Sequence, residues 1–336
     1  MQPNHTPPAV VGLSESHVLA TAIAREASVA LLPIEERAFD GGEFKLRPLE
    51  SARGRRLFVV QSLAATEQAP APQRLVRLLF LLQCLRDAGA DTRVVLLPYF
   101  AFARKDRRTQ IRDPVTSRYV AELLEAAGAS GLIGLDVHNP AAFDNAFRIP
   151  TVHLTALPML AEHFLRRLTR HVALTVVSPD VGGIKRAQIF RELLSARSDQ
   201  EVGLALVEKR RAKGIVSGGT LAGEMAGRAA IVLDDLCATG GTLIRAAAAC
   251  RDGGATAVHV AVTHTPLPTG VAALIAAESI ASITVTDSVG FALPAALAGA
   301  GADRLITLHT APLLGETVRR MLAGQPVAPL LERWPA

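Results

Sequence analysis

Residues 229–242, AAIVLDDLCATGGT, combine residue types that could bind a sugar phosphate. An apolar run predicts a buried strand, Asp234 and Asp235 follow it, and Thr-Gly-Gly-Thr then opens a predicted helix. Glycines let backbone N–H groups converge on an anion, and the positive end of a helix dipole adds to the attraction. The two carboxylates could accept hydrogen bonds from ribose hydroxyls. In the alternative interpretation, Thr242 is only a helix N-cap and the acids only end a strand.

Two groups of cations could act on phosphates elsewhere in the chain. Residues 104–108 (RKDRR) follow a predicted strand, and Lys209 and Arg211 lie two residues apart at the end of another. If the backbone stays extended there, Lys209 and Arg211 point to the same side. The Gly-, Ser- and Thr-rich stretch 213–227 is typical of a mobile lid. A solvated charged loop and a plain basic hairpin are the respective alternatives.

His138 and Asp180 each follow a predicted strand, in the short segments Asp-Val-His and Ser-Pro-Asp. Loops after the carboxyl ends of parallel strands are where α/β proteins bind ligands. Both residues are therefore candidates for a site, although a lone histidine after a strand is more often structural.

The elements that must position these residues alternate between strand and helix over most of the chain. Strands are predicted at 57–61, 93–98, 131–136, 173–178, 202–207, 229–234, 257–263, 282–286 and 304–308. Helices are predicted at 73–88, 116–127, 157–169, 183–194, 242–252 and 311–323. This alternation predicts an α/β fold in which mostly parallel sheets are flanked by helices. The pattern restarts midway, which predicts domains at 1–155 and 156–310, and a helix and tail at 311–336 that pack back on the first domain.

The composition limits which classes of protein this chain could belong to. The 336 residues are 49% hydrophobic and 20% charged, which is a globular composition with room for two cores. Three cysteines without CxxC spacing argue against a disulfide scaffold or structural zinc. With neither a long apolar span nor a signal segment in view, we expect a cytoplasmic protein without a membrane partner. The net charge of +5 favours anionic partners, but scattered basic residues and 4% aromatics do not indicate nucleic acid.

Several segments, in order along residues 9–325, resemble those of the ribose-phosphate pyrophosphokinases, or phosphoribosyl-pyrophosphate (PRPP) synthetases. The segments are 39–43 (FDGGE), 50–54 (ESARG), 98–113 (PYFAFARKDRRTQIRD), 135–138 (LDVH), 178–186 (SPDVGGIKR), 208–211 (EKRR) and the PRPP loop within 229–242. The resemblance implies two type I phosphoribosyltransferase-like domains. It implies transfer of pyrophosphate from ATP to the 1-hydroxyl of ribose 5-phosphate, with Mg²⁺ as cofactor, PRPP and AMP as products, and a homo-oligomer assembled through the N-terminal lobe.

The resemblance also implies roles for individual residues. Lys209 and Arg211 match a catalytic loop that closes over the ATP phosphates, and His138 and Asp180 match positions near the metal. The residues that match ATP-binding positions are Phe39, Glu43, Arg104 and Lys105. The residues that match ribose-5-phosphate-binding positions are Asp234, Asp235, Ala238, Thr239, Gly240, Gly241 and Thr242.

The chain departs from the family pattern at several positions. Lys105 stands where glutamine is usual, Gly41 stands where an acid or amide is usual, and Ala238 stands where aspartate is common. Residues 324–332 (GQPVAPLLE) lack the serines of the regulated branch, so we expect no classical phosphate activation or ADP inhibition. Two alternatives to the synthetase therefore stay open: a PRPP-consuming phosphoribosyltransferase and a non-catalytic regulatory paralogue.

Overall fold

The computed structural model describes residues 6–66, 69–168, 172–198, 200–212, 215–289 and 302–332, with the side chains of 209–219, 302 and 332 outside that description. The chain forms two compact units. The first comprises Met1–Thr155, Ser288–Phe291 and Thr310–Leu330, and the second comprises Ala156–Asp287, Ala292–His309 and Leu331–Ala336.

The first unit contains a six-stranded parallel sheet and a two-stranded antiparallel ribbon. Its strands are β1 (Ala9–Gly12), β2 (Ala30–Leu31), β3 (Ile34–Ala38), β4 (Phe44–Pro48), β5 (Arg56–Val60), β6 (Thr92–Leu97), β7 (Gly131–Leu135) and β8 (Thr151–Leu154). Its first four helices are α1 (His17–Glu26), α2 (Ala71–Asp87), α3 (Thr116–Ala126) and α4 (Pro140–Ala146). The sheet order is β2-β1-β5-β6-β7-β8, and β3 pairs with β4 as the ribbon. Every residue of β1 and β7 is buried, as expected for strands covered on both faces.

The second unit contains a seven-stranded sheet in the order β11-β10-β9-β12-β13-β14-β15. Its strands are β9 (Leu174–Ser178), β10 (Gly203–Ala212), β11 (Ile215–Ala222), β12 (Ala229–Leu236), β13 (Ala257–His264), β14 (Ser282–Thr286) and β15 (Leu305–Leu308). Its helices are α5 (Leu157–Arg167), α6 (Ile184–Ser195), α7 (Gly241–Asp252) and α8 (Pro268–Ala276). The sheet is parallel except where β11 pairs antiparallel with β10. The predicted α/β fold with mostly parallel sheets and flanking helices is confirmed.

The C-terminal segment contributes α9 (Ala311–Leu322) and a final short helix, α10 (Pro329–Glu332). Helix α9 packs against α1 of the first unit at Gly315. A methyl group on Gly315 would lie 2.4 Å from the Cβ of Glu26, so the absence of a side chain allows this close approach.

Among the described residues, the helices are too short or too polar to cross a membrane.

Candidate functional site

The glycine-rich loop joins β12 to α7 at residues 237–240. Strand β12 is buried over its first five residues, and the loop ends at Gly240, whose φ of 80° is left-handed. Gly240, not Thr242, occupies the N-cap position of α7, so the alternative that Thr242 caps this helix is wrong. Thr239 is exposed beside this helix N-terminus. Exposed helix-end N–H groups beside a hydroxyl form a suitable site for a phosphate.

Cys237 anchors the buried side of this loop. Its backbone N–H donates to the carbonyl oxygen of His264 on β13 at 2.8 Å, and its side chain is 1% exposed. Burial and the nearby charge of Asp234 raise the pKa of the Cys237 thiol to about 12, although a hydrogen bond from the Gly240 N–H opposes the rise. The thiol therefore stays protonated at neutral pH and holds the loop instead of acting as a nucleophile.

Asp234 and Asp235 form an acidic pair at the end of β12, and Arg186 of α6 lies between them. The Arg186 Nη1 lies 2.9 Å from Asp235 Oδ1 and 3.5 Å from Asp234 Oδ1. The Asp235 backbone N–H also donates to Asp234 Oδ1 at 2.9 Å. Burial and the neighbouring Asp235 raise the pKa of Asp234, whereas Arg186 opposes that rise. With its pKa raised to about 8, Asp234 mostly holds a proton at neutral pH, and Arg186 limits how far that pKa rises.

The loop after β9 carries Asp180 close in sequence to Arg186. Asp180 Oδ1 accepts a hydrogen bond from the Gly182 N–H at 3.0 Å, and the Ser178 hydroxyl donates to the Asp180 carbonyl oxygen at 2.6 Å. These bonds shape a single turn at Val181–Gly183 that leads into α6. Since β9 and β12 are neighbours in the sheet, the Arg186–Asp235 ion pair joins the loop after β9 to the acidic pair.

Lys209 and Arg211 lie on β10, which forms an antiparallel hairpin with β11. The pairing register shifts between these two residues, so the condition under which their side chains would point to the same side, an uninterrupted extended backbone, does not hold there. Their side chains, and residues 213 and 214 of the predicted lid, lie outside the described part of the chain.

In the first unit, Phe39 and Glu43 frame the tip of the β3–β4 ribbon. The Phe39 N–H donates to the Glu43 carbonyl oxygen at 2.8 Å, and Gly41 and Gly42 both take positive φ in the turn. The Phe39 ring is 43% exposed, and the Arg37 guanidinium lies 5.1 Å from its centroid. The tip therefore presents an aromatic face and a carboxylate to solvent.

Residues 104–113 form a basic loop after β6 that Asp113 organises. A single Asp113 oxygen, Oδ2, accepts from the backbone N–H groups of Thr109 and Gln110, at 3.0 Å each, and from the Thr109 hydroxyl at 2.7 Å. Lys105 forms an ion pair with the same oxygen. These donors, Lys105 first among them, hold the pKa of Asp113 well below its usual range. Arg104 is exposed on this loop, whereas the ammonium group of Lys105 is paired with Asp113.

His138 is exposed just after β7, where the backbone of Asp136 takes a φ of 38°. Positive φ is uncommon for aspartate and clusters at functional sites. The buried Asp136 side chain accepts a hydrogen bond from the Thr155 hydroxyl at 2.6 Å, which fixes the turn. The side-chain amide of Asn139, the residue after His138, donates a hydrogen bond to Asp106 Oδ2 at 2.6 Å. His138 is thereby placed beside the basic loop within the first unit.

The structure thus brings Asp234 and Asp235 together with the glycine-rich loop, and it brings the loop after β7 to the basic loop. His138 belongs to the first unit and Asp180 to the second. Within the described ranges, no group of three or more His, Cys, Asp or Glu side chains has a metal-binding arrangement. Sequence reasoning did not assign a role to Arg186, although it ends the segment 178–186; its separation of 49 residues from Asp235 concealed the contact.

Two family models match the sequence. One, described as the N-terminal domain of ribose phosphate pyrophosphokinase, matches residues 9–128. The other, described as the phosphoribosyl synthetase-associated domain, matches residues 202–332.

Similar proteins extend over nearly the whole chain. The chain is 34% identical to a ribose-phosphate pyrophosphokinase of Listeria ivanovii over 326 residues, which is 96% of each protein. It is also 34% identical to a ribose-phosphate pyrophosphokinase of Bacillus caldolyticus over 321 residues, which is 95% of this chain and 96% of the relative. The fold is similar to that of phosphoribosylpyrophosphate synthetase from Mycobacterium smegmatis, with a TM-score of 0.81, 29% identity, and coverage of 95% of this chain and 100% of that one.

Proposed function

The chain belongs to the ribose-phosphate pyrophosphokinase family, and we propose that it binds ribose 5-phosphate on the acidic pair and the glycine-rich loop. The family and the type of enzyme predicted from the sequence are confirmed. The reaction transfers pyrophosphate from ATP to the 1-hydroxyl of ribose 5-phosphate. The hydroxyl oxygen forms a bond to the β-phosphorus and loses its proton, the bond between that phosphorus and the α,β-bridging oxygen breaks, and AMP leaves.

The observation that carries this proposal is the Arg186-bound pair Asp234 and Asp235 directly before a helix N-terminus. Ribose 5-phosphate has hydroxyls at one end and a dianionic phosphate at the other. The carboxylates suit the hydroxyls, and the N–H groups at residues 239–242, with the Thr239 and Thr242 hydroxyls, suit the phosphate. Since Ala238 offers no side-chain hydrogen bond, the phosphate would be held by backbone and threonine groups.

ATP would bind to residues of the first unit. Phe39 at the ribbon tip offers an aromatic face for the adenine ring, and Glu43 an acceptor for its amino group. Arg104 and Lys105 are the cations of this unit that would contact the triphosphate. Lys105 would do so as a point charge, because an ammonium cannot reproduce the paired hydrogen bonds of an amide.

Lys209 and Arg211 would supply positive charge to the β- and γ-phosphates during transfer. The reaction needs no covalent enzyme intermediate, so alignment and charge neutralisation account for most of the catalysis. We assign these two residues that role because they lie on the β10–β11 hairpin and match the catalytic loop of the family.

Mg²⁺ would be held by the Asp180 carboxylate of the second unit, and His138 of the first unit matches a family position near the metal. Mg²⁺ usually retains waters and is held by one or two carboxylates together with substrate phosphates. A preformed cage of three side chains is therefore not required. When bound, the ion would neutralise charge on the triphosphate.

The remaining features of the proposal are a homo-oligomer, a cytoplasmic location, and no membrane or nucleic-acid partner. Light scattering coupled to size-exclusion chromatography checks the first of these. A monomer at micromolar concentration would contradict it.

The activity is tested by incubating the protein with Mg²⁺, ATP and ribose 5-phosphate and measuring AMP and PRPP. We expect AMP release that requires ribose 5-phosphate and falls by about 10³-fold or more in Lys209→Ala. Ribose 5-phosphate affinity, measured by calorimetry, should be retained in that variant. If the wild-type protein releases no more AMP than Lys209→Ala, the protein is not an active synthetase and the non-catalytic paralogue is favoured. Consumption of PRPP in the presence of a free base would instead indicate a transferase.

A further inference from the structure

Helix α8 touches the back of the glycine-rich loop at Gly270. A methyl group on Gly270 would lie 2.4 Å from the Ala238 carbonyl oxygen, 2.9 Å from the Ala238 carbonyl carbon and 3.1 Å from the Cys237 sulfur. Carbon atoms in ordinary contact are about 3.5–4.0 Å apart, so no side chain fits here unless the loop or the helix moves. The backbone of α8 therefore lies directly against the backbone of the loop.

The loop also has no room for a side chain at this contact. A methyl group on Gly240 would lie 3.0 Å from the Gly270 carbonyl oxygen, and Gly240 already takes a φ of 80° that disfavours side chains. Two glycines thus allow two backbone segments to meet, and the obstacle at each is a backbone atom that cannot rotate away. A flexible side chain could have yielded at low cost, but a carbonyl group in a hydrogen-bonded loop cannot.

Helix α8 is held in place by the core of the second unit. Val271 and Leu274 are fully buried in a cluster with residues of β12, β13 and α7. On the other side, Cys237 ties the loop to the carbonyl oxygen of His264. Ala238 is only partly buried and Thr239 is exposed, whereas Val271 and Leu274 are fully buried, so a group inserted between the two segments would displace the loop more readily than the helix.

We propose that Gly270 is a positioning residue, which sets the location of residues 237–240 and thereby the affinity for ribose 5-phosphate. This inference rests on the proposed function, since it takes the glycine-rich loop as the phosphate site. Relief of a 2.4 Å approach to ordinary contact requires a displacement of about 1 Å, and misplacement on that scale can cost on the order of 100-fold in rate. Gly270 itself need not touch the substrate.

The test compares Gly270→Ala with two control variants. Val271→Ala removes buried methyl groups from the same helix and destabilises the second unit without inserting an atom against the loop. Gly315→Ala creates the same 2.4 Å approach, but against Glu26 of α1 in the first unit. The two controls separate loop displacement from loss of stability and from overpacking as such.

We expect the KM for ribose 5-phosphate to rise by about tenfold or more in Gly270→Ala, with the KM for ATP changed by less than about twofold. Both controls should lower the melting temperature and leave both KM values near those of the wild type. Calorimetric titration with ribose 5-phosphate alone should show the same loss of affinity in Gly270→Ala. If Gly270→Ala does not fold, Gly240→Ala should produce the selective loss from the loop side of the contact.

Two outcomes would overturn the inference. One is a folded Gly270→Ala, or failing that Gly240→Ala, that retains the wild-type KM for ribose 5-phosphate. The other is a Val271→Ala variant, matched in melting temperature, that shows the same rise in KM. A wild-type protein without ribose-5-phosphate-dependent AMP release would instead contradict the proposed function, so the two failures are distinguishable.

Discussion

The glycine-rich loop at 237–240 and the basic loop at 104–113 both follow parallel strands, yet different forces determine their shapes. The first lies between buried elements: Cys237 is 1% exposed, and the backbone of α8 is in direct contact with Ala238. The second is largely exposed, and several of its donors converge on one carboxylate oxygen of Asp113. Dissolved salt does not weaken van der Waals packing, whereas it screens an exposed ion pair, and water and phosphates compete for the paired groups.

This difference indicates two kinds of substrate site. The loop that would hold ribose 5-phosphate is pre-organised, so little reorganisation is needed at binding. The loop that would meet ATP is held by groups that a triphosphate can replace, since Lys105 can exchange the Asp113 carboxylate for a phosphate oxygen. Substitutions should therefore have large effects on the first loop and graded effects on the second.

Removing Arg186 should produce the largest effect. In Arg186→Met, the acidic pair loses the cation that opposes the rise in the pKa of Asp234, so that pKa should rise further and the pair should keep its proton to a higher pH. We expect kcat/KM for ribose 5-phosphate to fall by about 100-fold or more at neutral pH and to recover partly as the pH is raised and the pair ionises. The pH profile of kcat/KM is the measurement.

Arg186→Lys is the matched control, because it keeps the charge but loses the planar guanidinium. Arg186→Lys should restore the wild-type shape of the pH profile more fully than it restores the magnitude of kcat/KM. A profile for Arg186→Met that is parallel to that of the wild type would mean that Arg186 does not act through the acidic pair.

Asp113→Asn should have a smaller and selective effect. The variant loses the charge that holds Lys105 and keeps only a neutral amide oxygen to organise the loop, so the KM for ATP should rise by about two- to fivefold, as for an exposed ion pair. The KM for ribose 5-phosphate should not change, and the difference between variant and wild type should shrink at high salt. Asp113→Glu, which keeps the charge, serves as the comparison; an equal change in both KM values would remove the distinction between the two loops.

Acid should have the smallest effect, and it should act on the second unit through His163 and His259. Burial, with a contribution from Arg167, lowers the pKa of both histidines below 6.5. The unfolded chain therefore binds these protons more readily, and their contribution to stability is present above pH 6.5 and lost as the pH falls below it. We expect the free energy of unfolding to decrease as the pH falls below 6.5, measured by urea unfolding as a function of pH.

The basic loop should withstand the same acid. Lys105 and the other donors hold the pKa of Asp113 well below its usual range, so the ion pair persists while the histidines titrate.

His259→Asn, which can keep a hydrogen bond to Ser282, should flatten the pH dependence of stability. An unchanged slope would show that the loss of stability originates elsewhere.

Local sequence was sufficient to predict the glycine-rich loop, because its chemistry lies within one strand–loop–helix segment. The roles of Arg186 and Gly270 were not predictable in this way. Arg186 is 49 residues from Asp235, and the closeness of Gly270 to Ala238 depends on how α8 docks. Such contacts arise from tertiary packing, which periodicity does not encode.

The β3–β4 ribbon and the hairpin show two further limits. The ribbon contains only partly buried and exposed residues, so it lacks the strong apolar pattern of a core strand, and the predicted elements omitted it. The irregularity between Lys209 and Arg211 gives no sequence signal, because a β-bulge there requires no glycine or proline. In contrast, most of the buried parallel strands were predicted, as their continuous apolar runs are the direct result of burial on both faces, although β1 and β8 were omitted.

The state of the thiols bears on how the protein can be labelled. Burial raises the pKa of Cys237 and of Cys250 to about 12, and it raises the pKa of Cys84 as well. A thiol with a pKa near 12 is ionised in only about one molecule in 10⁵ at neutral pH, too few for rapid reaction with a maleimide. A single cysteine introduced at an exposed position, such as Ile111→Cys on the basic loop, would therefore accept a fluorophore selectively. Motions of the basic loop could then be followed in a protein that keeps all of its own cysteines.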